Sequence, residues 1–464
     1  MFNNNKYPRT LLLSAAVGVA CMGLSLHVSA DQYSEAAEKW VNEAFKNSTL
    51  SKEQQLKEME WFIKAAEQFR GMEPVIRERL RKHLQRGKVE VFLGSSSGIS
   101  SAPNKTLYGS QADERFGASI TNLGGIGHPC VDDILIGSPG HQVPIPGFPG
   151  QYKTNVGKAS LYFSIVGSGL LSLYTSFEGE NANDNFGAIA SSAGDINGDG
   201  TNDFLISSKY WSNRGKVYCY SGTATINGNG TAPNPIWTKI GDVTAGYNEA
   251  LGASIASGDF NNDGYSDIAL GCPHYSVTGQ SLVGRTVIYY GSSSGVSTIN
   301  TSIVGNASSG QQLFGSAVCN AGDINDDGIH DLLVSSPYFD LPGKANTGKV
   351  ECFLGSTSGL PSSASSNITG NLANERIGFL HGTINSLGDI NGDGYGDILL
   401  GSSLQISNST ISYPETFRVI TGSNSGSLNS GTSYSIKSYN TINSSTFGSH
   451  FPRVVASIGD LDGD

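Results

Sequence analysis

After Leu26 the chain has no apolar run long enough to cross a membrane, so the mature protein is expected to be soluble as it stands. It is also poor in cysteine, with six in 464 residues. Cys21 lies near the N-terminus, and Cys130, Cys219, Cys272, Cys319 and Cys352 are far apart, odd in number and without C-x-x-C spacing. That pattern excludes a disulfide framework, and cysteines inside apolar runs read as small buried hydrophobes. Positive charge is scarce too: 29 Lys+Arg against 40 Asp+Glu gives -11. A nucleic-acid partner needs a basic footprint and is excluded on that ground. Nor is there a Ser/His/Asp order, a nucleophile elbow or a phosphate loop, and the eight histidines share no spacing. The chain is therefore not expected to be an enzyme. A site assembled from several loops would leave no such signature, and His141, His274 and His381 are the histidines placed to contribute to one.

The N-terminus reads as a secretory signal. Lys6 and Arg9 precede the apolar stretch Leu11 to Leu26, and Val28-Ser29-Ala30 is a small-residue cleavage site. Cleavage after Ala30 implies a secreted, periplasmic or cell-surface protein. Residues 31–86 are rich in Ala, Glu, Lys, Leu and Gln and nearly free of glycine, which predicts a short α-helical segment. Ser51 with Gln54 forms a capping box, Leu56, Met59, Ile63 and Ala66 share one helical face, and Pro74 suits a first turn. The basic cluster Arg77, Arg79, Arg81, Lys82 and Arg86 reads as a solvated helix face.

From Gly87 the composition turns to Gly, Ser, Asn and Thr, and one stretch recurs. Gly194-Asp195-Ile196-Asn197-Gly198-Asp199-Gly200-Thr201-Asn202-Asp203 is repeated at 258–267, at 322–331 and at 388–397, and begins again at Gly459. Oxygen-bearing side chains stand at loop positions 1, 3, 5 and 9, with glycine at 6. That donor set suits Ca²⁺, which takes about 6–8 oxygen ligands, and the glycine permits a sharp turn. The expected ligands are Asp195, Asn197, Asp199, Asp203 and the carbonyl of Thr201; Asp259, Asn261, Asp263, Asp267 and the carbonyl of Tyr265; Asp323, Asn325, Asp327, Asp331 and the carbonyl of Ile329; and Asp389, Asn391, Asp393, Asp397 and the carbonyl of Tyr395. Asp460, Asp462 and Asp464 open a further, truncated site. Crowded carboxylates repel one another unless a cation joins them. An EF-hand is excluded because its twelfth position needs a glutamate, and here that position is Ile206, Leu270, Val334 or Leu400. A dockerin is excluded because an apolar β-run follows the loop. The stretch from Gly124 to Asp133 keeps only the ninth-position carboxylate, Asp133, and should bind no metal. His128 and Cys130 beside it do not make a zinc site.

The loops belong to longer repeats. Units begin at Phe116-Gly117, Phe186-Gly187, Leu251-Gly252, Phe314-Gly315, Ile377-Gly378 and Phe447-Gly448. Each continues through a small apolar run, the loop, a second apolar run and, in several units, a Gly-x-Pro such as Gly137-Ser138-Pro139. The second unit departs, with Ser207-Ser208-Lys209 at that place. Loops recur every 64 to 71 residues, enough for four strands, and short antiparallel strands repeated around an axis describe a β-propeller. Gly87 to Gly98 matches the late strand of a unit yet precedes the first, so an outer strand donated to the final blade is expected to close the ring. The final unit breaks off inside its loop, and the sequence reads as a fragment.

Together these motifs resemble the FG-GAP repeats of the integrin α-subunit propeller, over residues 87–464. The resemblance implies an all-β propeller of seven blades, Ca²⁺ in the hairpin loops of one face, and partner binding by the opposite face or the rim. The plain signal and Asn-rich start point to a bacterial, integrin-like protein. The expected function is a calcium-binding module for an extracellular protein or glycan, serving adhesion. A secreted propeller hydrolase or lyase, and a purely structural repeat of a larger surface protein, are the alternatives.

Overall fold

The computed structural model describes residues 86–437, apart from 94–99, 101, 129–130, 166–169, 228–229, 245–246, 307–309, 380, 382, 403–415 and 429–433. The expected signal sequence, the segment before residue 86 predicted to be helical, Cys130, the unit at Phe447-Gly448 and the loop acids Asp460, Asp462 and Asp464 lie outside the described residues. The chain divides into two compact units. One holds Met1–Lys88 with Thr106–Asp113, and the other holds Val89–Lys105 with Glu114–Asp464.

The first two strands, β1 (Lys88–Val91) and β2 (Lys105–Tyr108), form a two-stranded sheet. The sequence pattern predicts only one strand here, and the structure has two. The N–H of Gly109 donates to the carbonyl of Gly87 at 3.1 Å, the bond that Gly370 makes to Gly348 at 3.0 Å late in a complete unit. The N-terminal stretch thus supplies the equivalents of two strands.

The second unit contains five four-stranded antiparallel sheets among the described residues, the blades of a β-propeller. Blade 1 is β3 (Ser119–Asn122), β4 (Ile134–Ser138), β7 (Lys158–Ile165) and β8 (Leu170–Glu178), with a small ribbon of β5 (Val143–Pro144) and β6 (Tyr152–Lys153) between β4 and β7. Blade 2 is β9 (Phe186–Gly194), β10 (Asp203–Ser208), β11 (Lys216–Tyr220) and β12 (Trp237–Ile240); the short helix α1 (Gly222–Asn227) precedes β12. A second ribbon, β13 (Val243–Thr244) with β14 (Tyr247–Asn248), leads to blade 3. That blade is β15 (Ser254–Gly258), β16 (Asp267–Cys272), β17 (Arg285–Tyr289) and β18 (Asn300–Val304). Blade 4 is β19 (Val318–Gly322), β20 (Asp331–Ser336), β21 (Lys349–Phe353) and β22 (Ser366–Thr369). Blade 5 is β23 (Ile384–Gly388), β24 (Asp397–Gly401), β25 (Thr416–Ile420) and β26 (Tyr434–Lys437).

The first strands of successive blades lie side by side: β3 with β9, β9 with β15, β15 with β19, and β19 with β23. Both faces of the sheets of blades 2, 3 and 4 are consequently covered, which explains why their second strands read as unbroken apolar runs and not as alternating ones. Side chains still alternate in direction. Phe204 and Ile206 pack with Leu135, Leu161 and Phe177 of blade 1, whereas Leu205 between them packs with Ile255, Ile268 and Leu270 of blade 3. The core is therefore a series of apolar layers between blades. Phe186, Leu251, Phe314 and Ile377, the large residues that open the units, are each at most 1% exposed in those layers. Of the cysteines, Cys219, Cys272 and Cys352 are buried free thiols, and Cys319 is a half-buried free thiol.

Candidate functional site

Each acidic loop is the hairpin between the first and second strands of a blade. Its glycine at position 6 has φ of 84° at Gly200, 87° at Gly264, 84° at Gly328 and 91° at Gly394. No atom would crowd a Cβ at any of these four glycines, so dihedral freedom and not space requires glycine there. Position 4 is also left-handed, and carries Gly198, Asn262, Asp326 and Gly392, residue types that tolerate the region.

This backbone aims amide hydrogens at the loop's own acids. In blade 2, Gly198 and Asp199 donate to Oδ1 of Asp195 at 2.7 and 3.1 Å, and Gly200 donates to its Oδ2 at 2.8 Å. Asp199 N–H reaches Asn197 Oδ1 at 2.8 Å, and Thr201 N–H reaches Asp199 Oδ1 at 3.0 Å. The position-1 pattern returns at Asp259, which accepts from Asp263 and Gly264, at Asp323, which accepts from Asp327 and Gly328, and at Asp389, which accepts from Gly392, Asp393 and Gly394. The bond from Gly394, with those from its neighbours, holds the exposed Asp389 carboxyl below the usual carboxylate range. Carboxylate oxygens carry two lone pairs, so these bonds orient the acids without exhausting them. The donor set is all oxygen and suits a hard cation. Among the described residues, no three Asp, Glu, His or Cys side chains already form a compact metal cluster.

Position 9 behaves differently. Asp203 is fully buried, accepting from Ile196 N–H at 3.3 Å and from Gly222 N–H, in the hairpin beyond β11, at 3.1 Å. Asp267, Asp331 and Asp397 repeat both bonds, to Phe260 and Gly291, Ile324 and Gly355, and Ile390 and Gly422. Burial pushes the carboxyl of Asp203 up to about 6, and those of Asp267 and Asp331 up to about 7. Asp133 in blade 1 is 1% exposed and accepts from Gly127 and Ser164 at 2.7 and 2.9 Å. The ninth acid thus ties two hairpins of one blade together, with or without the other loop acids.

The loops are also joined to one another. Ser266 N–H donates to the carbonyl of Asp195, His330 to that of Asp259, and Gly396 to that of Asp323, at 2.9, 3.2 and 2.9 Å. In each case position 8 of one blade grips position 1 of the blade before.

Two features of the opposite strand ends escaped the sequence reading. Glycine at Gly137 and Gly271 lets the next blade's Gly187 and Gly315 carbonyls approach; a Cβ would lie 2.0 and 2.1 Å from those oxygens. The hydroxyls that bond these carbonyls come from the partner strand, Ser119 to Gly187 at 3.0 Å and Ser254 to Gly315 at 2.8 Å. Blades 2 and 4 place serine on the second strand instead, Ser207 to Gly252 at 2.8 Å and Ser335 to Gly378 at 2.7 Å. The Ser207 departure is therefore the same bond supplied from the other strand.

The second feature is an acid two residues before the opening Phe-Gly. Glu114 meets Lys158 at 2.8 Å and His141 at 3.3 Å, Glu249 receives Arg285 Nε at 2.8 Å, and Glu375 pairs with Arg418. Burial raises the Glu249 carboxyl, and Arg285 counters it. The Glu-x-[Phe/Leu/Ile]-Gly spacing was the available signal. His141 is thus engaged in an ion-pair network of the scaffold.

Two family models bear on the blades: "FG-GAP repeat" matches residues 314–350, and "FG-GAP-like repeat" matches residues 195–270. A third, "Endoribonuclease YicC-like, N-terminal region", matches residues 56–113, a stretch that lies mostly outside the described residues. Integrin alpha pat-2 of Caenorhabditis elegans is 30% identical over 233 residues, which are 46% of this chain and 17% of that protein. Phosphatidylinositol-glycan-specific phospholipase D of Bos taurus is 35% identical over 160 residues, 33% of this chain and 18% of that protein. Integrin alpha-5 of Xenopus laevis is 27% identical over 224 residues, 47% of this chain and 20% of that protein. The chain spans no more than about a fifth of the length of these curated relatives. The stretches 195–270 and 314–350 are thus similar to FG-GAP repeats, and the chain resembles integrin alpha proteins over the part that matches them.

Proposed function

We propose that the chain is an exported, calcium-stabilised propeller that serves as a non-enzymatic binding or adhesion module for an extracellular protein or glycan. One observation carries the calcium reading: four successive hairpins hold the same oxygen donors in the same amide-oriented arrangement. Asp195, Asn197, Asp199, Asp203 and the Thr201 carbonyl would hold one ion, and the corresponding residues of blades 3, 4 and 5 three more. The ion would neutralise the crowded acids and stiffen the hairpin. Position 1 would then have both its carboxylate and its interblade carbonyl fixed. The likeness to integrin alpha chains supports the adhesion reading, and it extends only to the repeats.

Titration of the metal-stripped full chain with Ca²⁺ should give four equivalents and raise the melting temperature by several degrees, since about 100-fold excess over Kd is worth about 2.7 kcal/mol. No binding and an unchanged melt would refute the calcium reading. Arrays of extracellular-matrix proteins and glycans, probed with and without Ca²⁺, test the binding role. Saturable, calcium-dependent capture is expected, and turnover of a captured glycan would favour a hydrolase or lyase instead.

A further inference from the structure

The turns at the strand ends remote from the acidic loops also repeat, and blade 2 breaks their pattern. In blades 1, 3 and 4 the connection from the second strand to the third carries a small ribbon. It is β5 with β6 in blade 1, the bridge of Val277 to Gln280 in blade 3, and that of Leu341 to Lys344 in blade 4. These connections are residues 139–157, 273–284 and 337–348, so none is shorter than twelve residues. Blade 2 has only residues 209–215, seven in all, and a 3₁₀ turn at Trp211–Asn213 stands in place of the ribbon.

Beside the shortened turn lies an open cavity of ≈ 480 Å³. Small-molecule sites run to roughly 300–1,000 Å³, so the space is of their size. Tyr210, Ser212 and Asn213 of the turn form one wall, and Asn183, Asp184 and Asn185, from the link between β8 and β9, form the other. Both walls are pinned. Tyr210 N–H donates to the Asp184 carbonyl at 3.3 Å, and Asn183 and Asn185 donate to the carbonyls of Thr154 and Asn155 at 2.9 Å each. Trp211 Nε1–H donates to Glu180 at 3.0 Å. A ligand entering such a site orders little of the protein.

Asp184 is the blade 2 counterpart of Glu114, Glu249 and Glu375, two residues before the opening Phe-Gly. Those three acids pair with Lys158, Arg285 and Arg418, each on the third strand of the same blade. The third-strand cation of blade 2, Lys216, goes to Glu180 instead, at 2.5 Å. Asp184 is 2% exposed, makes no ion pair among the described residues, and has its carboxyl raised by burial. Asn181 donates to it through its N–H at 2.8 Å and its Nδ2 at 3.2 Å, and both bonds fall on Oδ2. No hydrogen bond among the described residues engages Oδ1, so a buried acceptor with capacity to spare lines the cavity.

The remaining lining suits hydroxyl groups. Asn183 Oδ1 accepts from Asn155 Nδ2 at 3.2 Å, which leaves the Asn183 NH₂ as a donor. Ser212 and Asn213 are exposed and can donate or accept. Tyr210 is 51% exposed and offers an aromatic surface. Lys209, Arg214 and Lys216 outnumber Asp184 and Glu180 around the turn, so its charge does not favour a cation.

We propose that this cavity is a saccharide subsite, in which Asp184, Asn183, Ser212 and Asn213 bond sugar hydroxyls and Tyr210 packs against the apolar C–H face of the ring. The inference rests on the extracellular binding role proposed above and narrows its ligand to a neutral glycan unit. The subsite is separate from the calcium loops, which lie at the other ends of the same strands.

The test titrates the full chain in Ca²⁺ with the methyl glycosides of glucose, galactose, mannose, fucose and N-acetylglucosamine. Binding is read by saturation transfer to the sugar and by the indole ¹H–¹⁵N resonance of Trp211, assigned with Trp211→Phe. At least one glycoside should saturate and move that resonance with the same midpoint. Tyr210→Ala should weaken binding about fivefold and Asp184→Asn at least about tenfold. Replacing residues 209–215 by a copy of residues 273–284 restores a ribbon and should abolish binding, with the melting temperature as the check on folding. If that replacement does not fold, Tyr210→Ala and Asn213→Ala, both at exposed positions, decide the matter. No saturation by any of the five, saturation that leaves Trp211 unmoved, or binding unchanged by the substitutions would overturn the subsite. Should protein or glycan arrays still capture the chain in that event, the binding role stands without this site; if they capture nothing, both fall.

Discussion

The loop of blade 1 and the loop of blade 2 occupy the same hairpin and share one acid. Blade 1 has Gly125, Gly127 and Pro129 where blade 2 has Asp195, Asn197 and Asp199, yet Asp133 and Asp203 each accept two backbone N–H bonds from separate hairpins. The difference separates two devices that the repeat superimposes. Position 9 holds the blade's hairpins together in every described blade. Positions 1, 3 and 5 are the dispensable part, and these are the positions whose chemistry asks for a cation.

The strongest way to break this comparison is to remove the ninth acid from both blades. Asp203→Ala strands two buried amide donors, and an unsatisfied buried donor costs about 1–3 kcal/mol, so it should lose about 2–5 kcal/mol in denaturant unfolding. Asp133→Ala frees the amides of exposed Gly127 and half-buried Ser164, which water can reach, and should lose less. In calcium titrations only Asp203→Ala should lose an equivalent. Equal losses of metal from both would show that blade 1 binds an ion after all.

A change of pH probes the same acids without mutation. Asp267 and Asp331 have folded-state values of about 7 against an ordinary 3.8, and Asp203 about 6, so folding without metal takes up protons. Their contribution is fully present below about pH 4 and is lost as pH rises through about 6 to 7. In metal-free buffer the melting temperature should fall between pH 5 and pH 8, and Asp267→Asn with Asp331→Asn should flatten that slope. A melt that rises with pH in the parent protein would contradict the burial of these acids.

The smallest effect sharpens the comparison from the other side. Asp199 is exposed and bonds only within its loop. Asp199→Ala should cost no more than about 0.5 kcal/mol without metal, as surface changes do. It should nevertheless remove one calcium equivalent. A large metal-free loss would give position 5 a structural duty of its own.

The 1, 3, 5, 9 spacing was legible because all its members fall within ten residues. So was the role of Phe186 or Phe314, since a large apolar residue before a glycine, repeated at the unit length, marks an interblade layer. The division of labour inside the loop was not legible. Asp203 looks like Asp195 until its partner Gly222, nineteen residues away, is in place. The stretch from Gly87 reads as one strand because Lys105–Tyr108 lacks an apolar run of its own. Blade 5 carries three extra residues that the sequence does show, since Ile377 lies eleven residues before Gly388 whereas Phe314 lies eight before Gly322, and the bonds of Gly401 place them ahead of Thr383.

The hydroxyl that caps each opening glycine has a consequence for how such repeats drift. Ser119 with Gly137 and Ser207 with Ile189 are two solutions to one contact, with the hydroxyl on alternate sides of a strand pair. Placing serine at Gly137 first would drive its Cβ to 2.0 Å from the neighbouring carbonyl and 2.2 Å from the existing hydroxyl. Discarding Ser119 first would leave the Gly187 carbonyl without its partner. Neither single step is neutral, so a lineage of blades should change these two positions together. What descends from one blade to the next is the bond, and the residue that makes it is free to change sides.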